Sequence, residues 1–308
     1  MSIGIRAVTV YRPEKTINNI EQGKRLDANE DFIKYKIGML QLSSKENVQE
    51  TSDLASMPAI ALYELYGLRP EQVNCLLLVT QNPDAKGLPH TSAILHQKIG
   101  LPISCAVFDI SLGCSGYVQG LTIIKAFMES QQFKNGLLIT CDPYSKIIDR
   151  NDRDTSLLFG DGATATWMSD ELTWKVGPAD FGILSEQNAA LAVNTKGKLS
   201  MNGRSIFNFA LTQIPKSVSR VLEKSGLNMQ QIDIVLLHQG SRYIVEALSK
   251  RLGSEGKTPF AASRYGNTVS SSIPMLLAEI VPETSKRLLL SGFGVGLAWA
   301  TCILEKKQ

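Results

Sequence analysis

The sequence predicts an α/β fold, and three observations support this. Short apolar runs typical of buried strands alternate with helical stretches along almost the whole chain. The chain has 308 residues, 44% of them hydrophobic and 20% charged, which is enough for a large core in one or two domains. One pattern also occurs twice: a helix end, a glycine, a short loop and an apolar strand, first around Gly67 and again around Gly226.

Each predicted element follows from its own part of this alternation. Apolar runs of strand length predict strands at residues 73–80, 106–110, 136–141, 163–168, 232–237, 288–291 and 298–304. Longer segments with a helical pattern predict helices at residues 52–66, 91–99, 118–130, 207–225, 241–252 and 273–280. Residues 169–204 are more polar and contain glycine, proline and asparagine, so we expect connecting loops or an insertion there.

The repeated pattern divides the chain into two similar halves. Three residues keep the same spacing in both copies: Gly67, Leu68 and Gln72 in the first, Gly226, Leu227 and Gln231 in the second. A weaker similarity relates residues 136–140 to residues 287–291. We therefore expect an N-terminal half, residues 1–168, and a C-terminal half, residues 169–308, packed against each other.

Charge and cysteine content exclude several classes of protein. A net charge of +3 is too small to indicate a nucleic-acid-binding protein. The five cysteines are odd in number and widely spaced, which predicts neither a disulfide framework nor a cysteine metal site. The chain starts without the apolar core of a signal peptide, and no apolar run approaches the ~20 residues that a membrane helix needs. We expect a cytoplasmic protein with reduced thiols and no membrane partner.

Cys114 is the first candidate for chemistry, because it lies between a predicted strand and a predicted helix. Gly113 and Gly116 flank it closely and allow the backbone to turn sharply. A position near the positive end of a helix favours the thiolate, which is the nucleophilic form of cysteine. A buried structural cysteine is the commoner case, and this segment alone leaves both interpretations open.

Three further segments indicate a functional site only in combination with Cys114. His238 ends an apolar run, and the carboxyl end of a strand in an α/β sheet is where ligands collect. Asn267 follows Gly266 in a segment that by itself indicates a turn and a helix start. Residues 292–296 form a glycine-rich segment with free N–H donors for an oxyanion, although an ordinary turn explains it equally well.

In this order and at these separations, the segments resemble the Cys-His-Asn set of the β-ketoacyl-acyl carrier protein synthase III family of the thiolase superfamily. The matching motifs are Gly113-Cys114-Ser115-Gly116, His238-Gln239, Gly266-Asn267-Thr268 and Gly292-Phe293-Gly294. The resemblance covers nearly the whole chain. It implies a thiolase-like fold, in which two duplicated halves form a layered αβαβα sandwich, and it thereby explains the repeat.

The resemblance also implies a mechanism and a set of roles. Cys114 would take an acyl group from an acyl-CoA or acyl carrier protein, with the backbone N–H groups of Cys114 and Val295 as oxyanion hole. His238 and Asn267 would stabilise the enolate formed when a malonyl thioester loses carbon dioxide, and the product would be a β-keto thioester. The chain would form a homodimer, and no metal or other cofactor would be needed.

Further residues correspond to the family's substrate channel and docking surface. These are Phe32, Lys36 and Arg153 for the CoA adenine, Phe293 in the glycine-rich segment, Leu88 for the partner subunit's acyl channel, and Lys250 and Arg251 for an acidic carrier protein. Several positions depart from the family pattern: Lys36 lacks a guanidinium, Ser241 replaces an asparagine, and Val295 replaces a glycine and is expected to narrow the acyl pocket. These departures suggest altered substrate choice, and a specialised pathway.

Three alternative functions compare less well with the same residues. An acyltransferase that passes the acyl group to an alcohol or amine would have no use for Asn267. A non-catalytic partner subunit of a heteromeric synthase would not need the three catalytic residues. A thiolase proper would need a second catalytic cysteine near the C-terminus, whereas Cys302 lies inside a predicted strand.

Overall fold

The computed structural model describes residues 2–307 and confirms the α/β architecture. Nine strands form one continuous sheet, and two pairs of short strands lie outside it. The strands are β1 Gly4–Tyr11, β2 Thr16–Asn18, β3 Gln41–Ser43, β4 Cys75–Val79, β5 Ala106–Ile110, β6 Asn135–Cys141, β7 Ala163–Ser169, β8 Trp174–Ile183, β9 Leu191–Val193, β10 Leu199–Met201, β11 Ile234–Leu237, β12 Arg287–Gly294 and β13 Ala298–Lys306. The helices are α1 Asn19–Arg25, α2 Thr51–Tyr66, α3 Thr91–Lys98, α4 Gly116–Gln131, α5 Arg153–Ser156, α6 Gly203–Ser225, α7 Arg242–Leu252 and α8 Ser272–Glu279.

The strand order of the large sheet shows a duplicated arrangement. It runs β11-β12-β13-β8-β1-β7-β6-β4-β5, so β8 and β1 join two similar sets at the centre. In each set a parallel pair, β4 with β6 or β11 with β12, continues into an antiparallel strand, β7 or β13. The edge strand β5 belongs to the first set only. The two copies of the sequence pattern therefore correspond to β4 and β11.

Helices cover both faces of the two sets of strands and complete the layers of the sandwich. Helices α4 and α8 each contact strands from both sets and form the central layer. Helices α2 and α3 cover the outer face of the first set, and α6 covers the outer face of the second with α7 packed on it. The largest buried cluster lies around α4 and α8, which explains why the sides of α4 that face the strands are apolar.

The expectation of loops or an insertion at residues 169–204 is wrong in its main part. The region contains β8, ten residues long, which pairs with β13 along most of its length and joins the two sets through β1. Its burial alternates because one face packs inward and the other is exposed, so glycine, proline and charged residues weaken the apolar signal. Strand β1 was also missed, because polar residues at Arg6 and Thr9 interrupt its apolar run.

Candidate active site

Cys114 lies in the loop between β5 and α4, two residues before the first residue of α4, as the sequence predicts. Its side chain is only 3% exposed. Glycines make this close packing possible: a side-chain carbon on Gly294 would lie 2.6 Å from the Cys114 sulfur, and one on Gly116 would lie 2.4 Å from a methyl carbon of Val79. The glycine-rich segment of β12 therefore serves to let the backbone approach Cys114.

The environment of Cys114 favours the neutral thiol in the free protein. Burial raises the pKa of the Cys114 thiol to about 12, and the nearby carboxylate of Asp142 acts in the same direction. Backbone hydrogen bonds from Val295 and from Cys114 itself lower the pKa of the thiol, but by less than burial raises it. The expected stabilisation of the thiolate by its position beside a helix is thus outweighed by burial.

His238 directly follows β11 and is a neutral, buried imidazole. Burial lowers the pKa of the His238 ring to about 3, although a hydrogen bond with the Val269 backbone works in the opposite direction. The Nδ1 atom lies 2.8 Å from the Ser272 hydroxyl oxygen, and the ring packs edge to face on Phe293. Because the Ser272 hydroxyl can donate to Nδ1, the ring can carry its proton on Nε2.

Asn267 lies in the loop before α8, and its side-chain amide oxygen is held by a backbone hydrogen bond. The backbone N–H of Val269 donates to the amide oxygen over 2.9 Å. The amide nitrogen lies 3.5 Å from Nε2 of His238. With its oxygen already bonded, the amide presents its N–H₂ group on the side of His238, where both side chains can donate hydrogen bonds to the same oxygen atom of a ligand.

A single cavity of about 570 Å³ brings the predicted residues together. Cys114, His238, Asn267 and Phe293 all line it, although they come from four separate loops and strands. Most of the remaining lining is apolar, from side chains such as Leu191. The cavity is thus large enough for a small-molecule ligand and combines apolar walls with a few converging polar groups.

Two cation–π pairs mark another part of the same cavity. The Arg153 guanidinium stacks on Phe32 at 4.7 Å, and the Lys36 ammonium lies 3.8 Å from the ring centre of Tyr243. Tyr243 in turn stacks on Phe207, with 5.1 Å between the ring centres. Phe32, Lys36 and Arg153 therefore lie together, as the sequence predicts, and the aromatic pair at Tyr243 was not foreseen.

The remaining predicted residues lie outside the cavity. Leu88 is 86% exposed on the loop after β4. Lys250 and Arg251 are exposed in the last turn of α7. The expectation that Val295 narrows the cavity is not supported, because its side chain packs beside Gly113, where a side-chain carbon would lie 2.5 Å from the Val295 methyl group.

Several buried residues that form hydrogen bonds around the site were not predicted from the sequence. Asp142 follows β6 and is fully buried, accepting hydrogen bonds from the Gln81 backbone and the Ser270 hydroxyl. The Tyr144 hydroxyl donates to the Gln81 side chain over 2.8 Å. The sequence did contain a signal for Asp142, because it stands at the carboxyl end of the apolar run that forms β6, where functional residues of α/β sheets collect. Ser272 was interpreted only as part of a helix start.

Residues 2–307 contain neither a metal-binding cluster nor a membrane-spanning helix. Within this range, no group of three or more histidine, cysteine, aspartate or glutamate side chains is placed to hold a metal ion. In the same part of the chain, every helix is too short or too polar to cross a membrane.

The sequence and the fold are similar to those of known proteins. Two family models, "3-Oxoacyl-[acyl-carrier-protein (ACP)] synthase III" and its C-terminal part, match residues 108–183 and 222–306. The β-ketoacyl-[acyl-carrier-protein] synthase III of Lactococcus lactis subsp. cremoris strain SK11 is 34% identical to the chain, with 96% of each covered.

Solved structures of similar proteins match the whole fold. The 3-oxoacyl-(acyl-carrier protein) synthase from Burkholderia xenovorans LB400 superimposes with a TM-score of 0.91 at 30% identity, covering 99% of this chain and 94% of the other. The synthase III from Pseudomonas aeruginosa PAO1 gives a TM-score of 0.92 at 28% identity, covering 100% of this chain and 99% of the other. The chain therefore belongs to the β-ketoacyl-acyl carrier protein synthase III family of the thiolase superfamily.

Proposed function

We propose that the protein catalyses a decarboxylative condensation of an acyl thioester with a malonyl thioester, with Cys114 as nucleophile. The observation that carries this proposal is the convergence of three side chains, those of Cys114, His238 and Asn267, on one cavity. Membership of a family of acyl-transferring condensing enzymes supports the reaction class. The buried hydrogen bonds of His238 and Asn267 orient two side chains that can donate to an enolate oxygen. Stabilisation of an enolate is needed for condensation but not for simple acyl transfer.

In the first half-reaction the Cys114 sulfur attacks the carbonyl carbon of the acyl donor. A carbon–sulfur bond forms to Cys114, the bond to the CoA sulfur breaks, and the thiol proton leaves with the CoA sulfur. The backbones of Val295 and Cys114 both affect the pKa of the Cys114 sulfur, which supports the proposal that their N–H groups bond the oxyanion of the tetrahedral intermediate. The neutral thiol of the free protein limits reaction with other electrophiles until the donor is bound.

In the second half-reaction a malonyl thioester loses carbon dioxide inside the same cavity. The electron pair of the broken carbon–carbon bond passes to the thioester oxygen as an enolate, and His238 and Asn267 donate hydrogen bonds to that oxygen. The enolate carbon then attacks the acyl-Cys114 carbonyl, and the sulfur of Cys114 leaves with the electron pair. This thiolate takes up a proton from solvent and returns to the neutral thiol. Every step moves electron pairs and protons only, so we propose that no metal or redox cofactor takes part.

We assign the cation–π pairs to recognition of the CoA moiety. Phe32 and the stacked Arg153 offer flat surfaces to an adenine ring, and Lys36 adds a positive charge for phosphate groups. Lys250 and Arg251 form an exposed basic pair at the end of α7. This pair suits the docking of an acidic carrier protein that bears the second substrate. Relatives named for the acyl carrier protein support this assignment.

We also propose that the protein acts as a homodimer in the cytoplasm. All five residues of β5, at the edge of the large sheet, are partly exposed, and an open strand edge favours pairing with a second strand. Leu88 and Ile103 precede β5 in the sequence, and their side chains are 86% and 101% exposed. Exposed apolar side chains of this kind suit contact with a partner. All five cysteines are free thiols, in keeping with a reducing compartment.

Two measurements on the wild-type protein test the reaction. Intact mass spectrometry after incubation with a panel of acyl-CoAs should show one acyl adduct per chain, located on Cys114 by peptide mapping. Addition of malonyl thioester, carried by CoA or by acyl carrier protein, should then release carbon dioxide and yield a β-keto thioester.

The outcomes separate the proposed reaction from its main alternative. An adduct that is transferred to an alcohol or amine, without release of carbon dioxide, would show an acyltransferase. No covalent adduct from any donor would contradict the role of Cys114. Sedimentation analysis of wild type and of the double variant Leu88→Glu/Ile103→Glu tests the dimer, which the two charges should dissociate.

A further inference from the structure

The loop that carries Asn267 contains an unusual backbone conformation. Val269 has a φ angle of +54° and is completely buried. A β-branched residue is rarely found in this left-handed region, because its side chain crowds the adjacent carbonyl group. Strained residues of this kind persist only where the surrounding structure holds them, and they are concentrated at functional sites.

The backbone of Val269 is linked to both of the side chains that we assign to enolate binding. Its N–H donates to the Asn267 amide oxygen over 2.9 Å, a bond that turns back across only two residues. Its backbone also raises the pKa of the His238 ring. Because φ is a rotation about the N–Cα bond, an ordinary helical or extended φ at Val269 would turn its carbonyl group, and the residues that follow it, to a different direction relative to Asn267.

Three serines that follow Val269 hold the loop in place. The Ser270 hydroxyl donates to the buried carboxylate of Asp142, and the Ser271 hydroxyl lies 3.0 Å from the Thr140 carbonyl oxygen. Ser272 lies 2.8 Å from Nδ1 of His238. All three serines are at most 1% exposed, so water does not compete for these bonds. The segment that follows Val269 is therefore fixed by buried hydrogen bonds to Asp142, Thr140 and His238.

We propose that Val269 is a positioning residue whose left-handed backbone fixes the Asn267 amide for the decarboxylation half-reaction. The proposal rests on the proposed function of Asn267. The Val269 side chain itself does not line the cavity, so it has no direct contact with substrate. Acylation of Cys114 does not involve the Asn267 amide, so the acylation rate should not depend on the backbone conformation of Val269.

Two substitutions at Val269 separate backbone restraint from packing. Val269→Ala removes most of the side chain but keeps a Cβ, whereas Val269→Gly also frees the backbone to leave the left-handed region. If restraint matters, Val269→Gly should lower the rate of carbon dioxide release from malonyl-CoA by about tenfold or more, an effect comparable to loss of a preorganised donor. Val269→Ala should lower it much less, and neither should change the rate of Cys114 acylation by acetyl-CoA.

Gln132, which directly follows the last residue of α4, provides a matched control for Val269. Gln132 has a φ angle of +56° and is exposed at the end of α4, far from any of the cavity-lining residues in sequence. Gln132→Gly removes the same kind of strain without touching the cavity. It should leave both half-reactions unchanged, which shows that a glycine in a left-handed position has no general effect on the rates.

Crystal structures of the wild type and the two Val269 variants provide a test that does not depend on activity. In Val269→Gly the χ angles of Asn267 should change or become heterogeneous, while in Val269→Ala they should match the wild type. Equal losses in Val269→Ala and Val269→Gly, or equal losses in both half-reactions, would show a packing role and overturn the proposal. A wild type that releases no carbon dioxide contradicts the proposed function, and the placement of Asn267 in the crystals still tests the positioning role.

Discussion

The two halves of the molecule share one strand order but supply different chemistry. Strands β4 and β11 hold equivalent places, yet the residues that follow β4 include Gln81, whereas β11 is followed by His238. The first half contributes Cys114, beside the first residue of a long helix and enclosed by glycine contacts. The second half contributes His238 and Asn267 on loops fixed by side-chain hydrogen bonds.

Under the proposed function, this difference divides the two half-reactions between the two copies of the fold. The nucleophile needs close backbone approach, and glycines at Gly292 and Gly294 of the opposite half provide it. The proposed enolate donors, His238 and Asn267, need a fixed orientation, which buried hydrogen bonds provide. Acylation should therefore be lost when Cys114 of the first half is removed, whereas decarboxylation should depend on His238 and Asn267 of the second half.

The largest expected effect is the loss of acylation in Cys114→Ala. Without the sulfur no acyl adduct can form, so intact mass spectrometry should show only the unmodified protein. Release of carbon dioxide from malonyl-CoA should persist, because His238 and Asn267 remain in place. Loss of both activities in a folded variant would contradict the division between the two halves.

Asn267→Ala should give the opposite result. Removal of one preorganised hydrogen-bond donor commonly lowers a rate by about 100-fold or more, and this loss should fall on carbon dioxide release. Acyl adduct formation with acetyl-CoA should stay close to the wild-type rate. A stopped assay for each half-reaction on the same protein preparation provides the comparison, and an equal decrease in both would argue against the enolate role.

The buried carboxyl of Asp142 should make stability depend on pH. Burial raises the pKa of Asp142 to about 7, so between pH 4 and pH 7 the folded protein binds more protons at this group than the unfolded chain does. Its contribution to the free energy of unfolding is therefore fully present in acid and falls as pH rises through this range, by about 1.4 kcal/mol for each pH unit.

The variant Asp142→Asn isolates this contribution from opposing groups such as His238, whose lowered pKa acts in the reverse direction. Urea denaturation at pH 5 and pH 8 should show that the free energy of unfolding of the wild type declines relative to that of the variant, by roughly 3 kcal/mol. A constant difference between the two proteins at both pH values would rule out the raised pKa.

The smallest expected effect concerns carrier-protein docking at Lys250 and Arg251. Reversal of both charges in Lys250→Glu/Arg251→Glu should raise the KM for malonyl-acyl carrier protein by about tenfold through loss of charge complementarity. The kinetics with malonyl-CoA should not change, since this basic pair lies outside the cavity. The exposed lysines Lys134 and Lys175 provide a matched control, because Lys134→Glu/Lys175→Glu makes the same change in net charge.

The sequence by itself determined the α/β class, seven strands of the large sheet and the three candidate catalytic residues. Apolar runs such as that of β6 are buried on both faces, so their strands are visible in the sequence without any tertiary information. Cys114, His238 and Asn267 could be identified because their order and local glycines form a specific combination.

Only the tertiary structure decided how these residues work together. Strand β8 was hidden because one of its faces is exposed, and its pattern is therefore mixed. The protonation of Cys114 depends on burial, which no local motif records. The strained backbone of Val269, and its bond to Asn267, depend on partners as distant in sequence as Asp142. Local sequence specifies which groups are present, whereas long-range packing sets their orientation and charge.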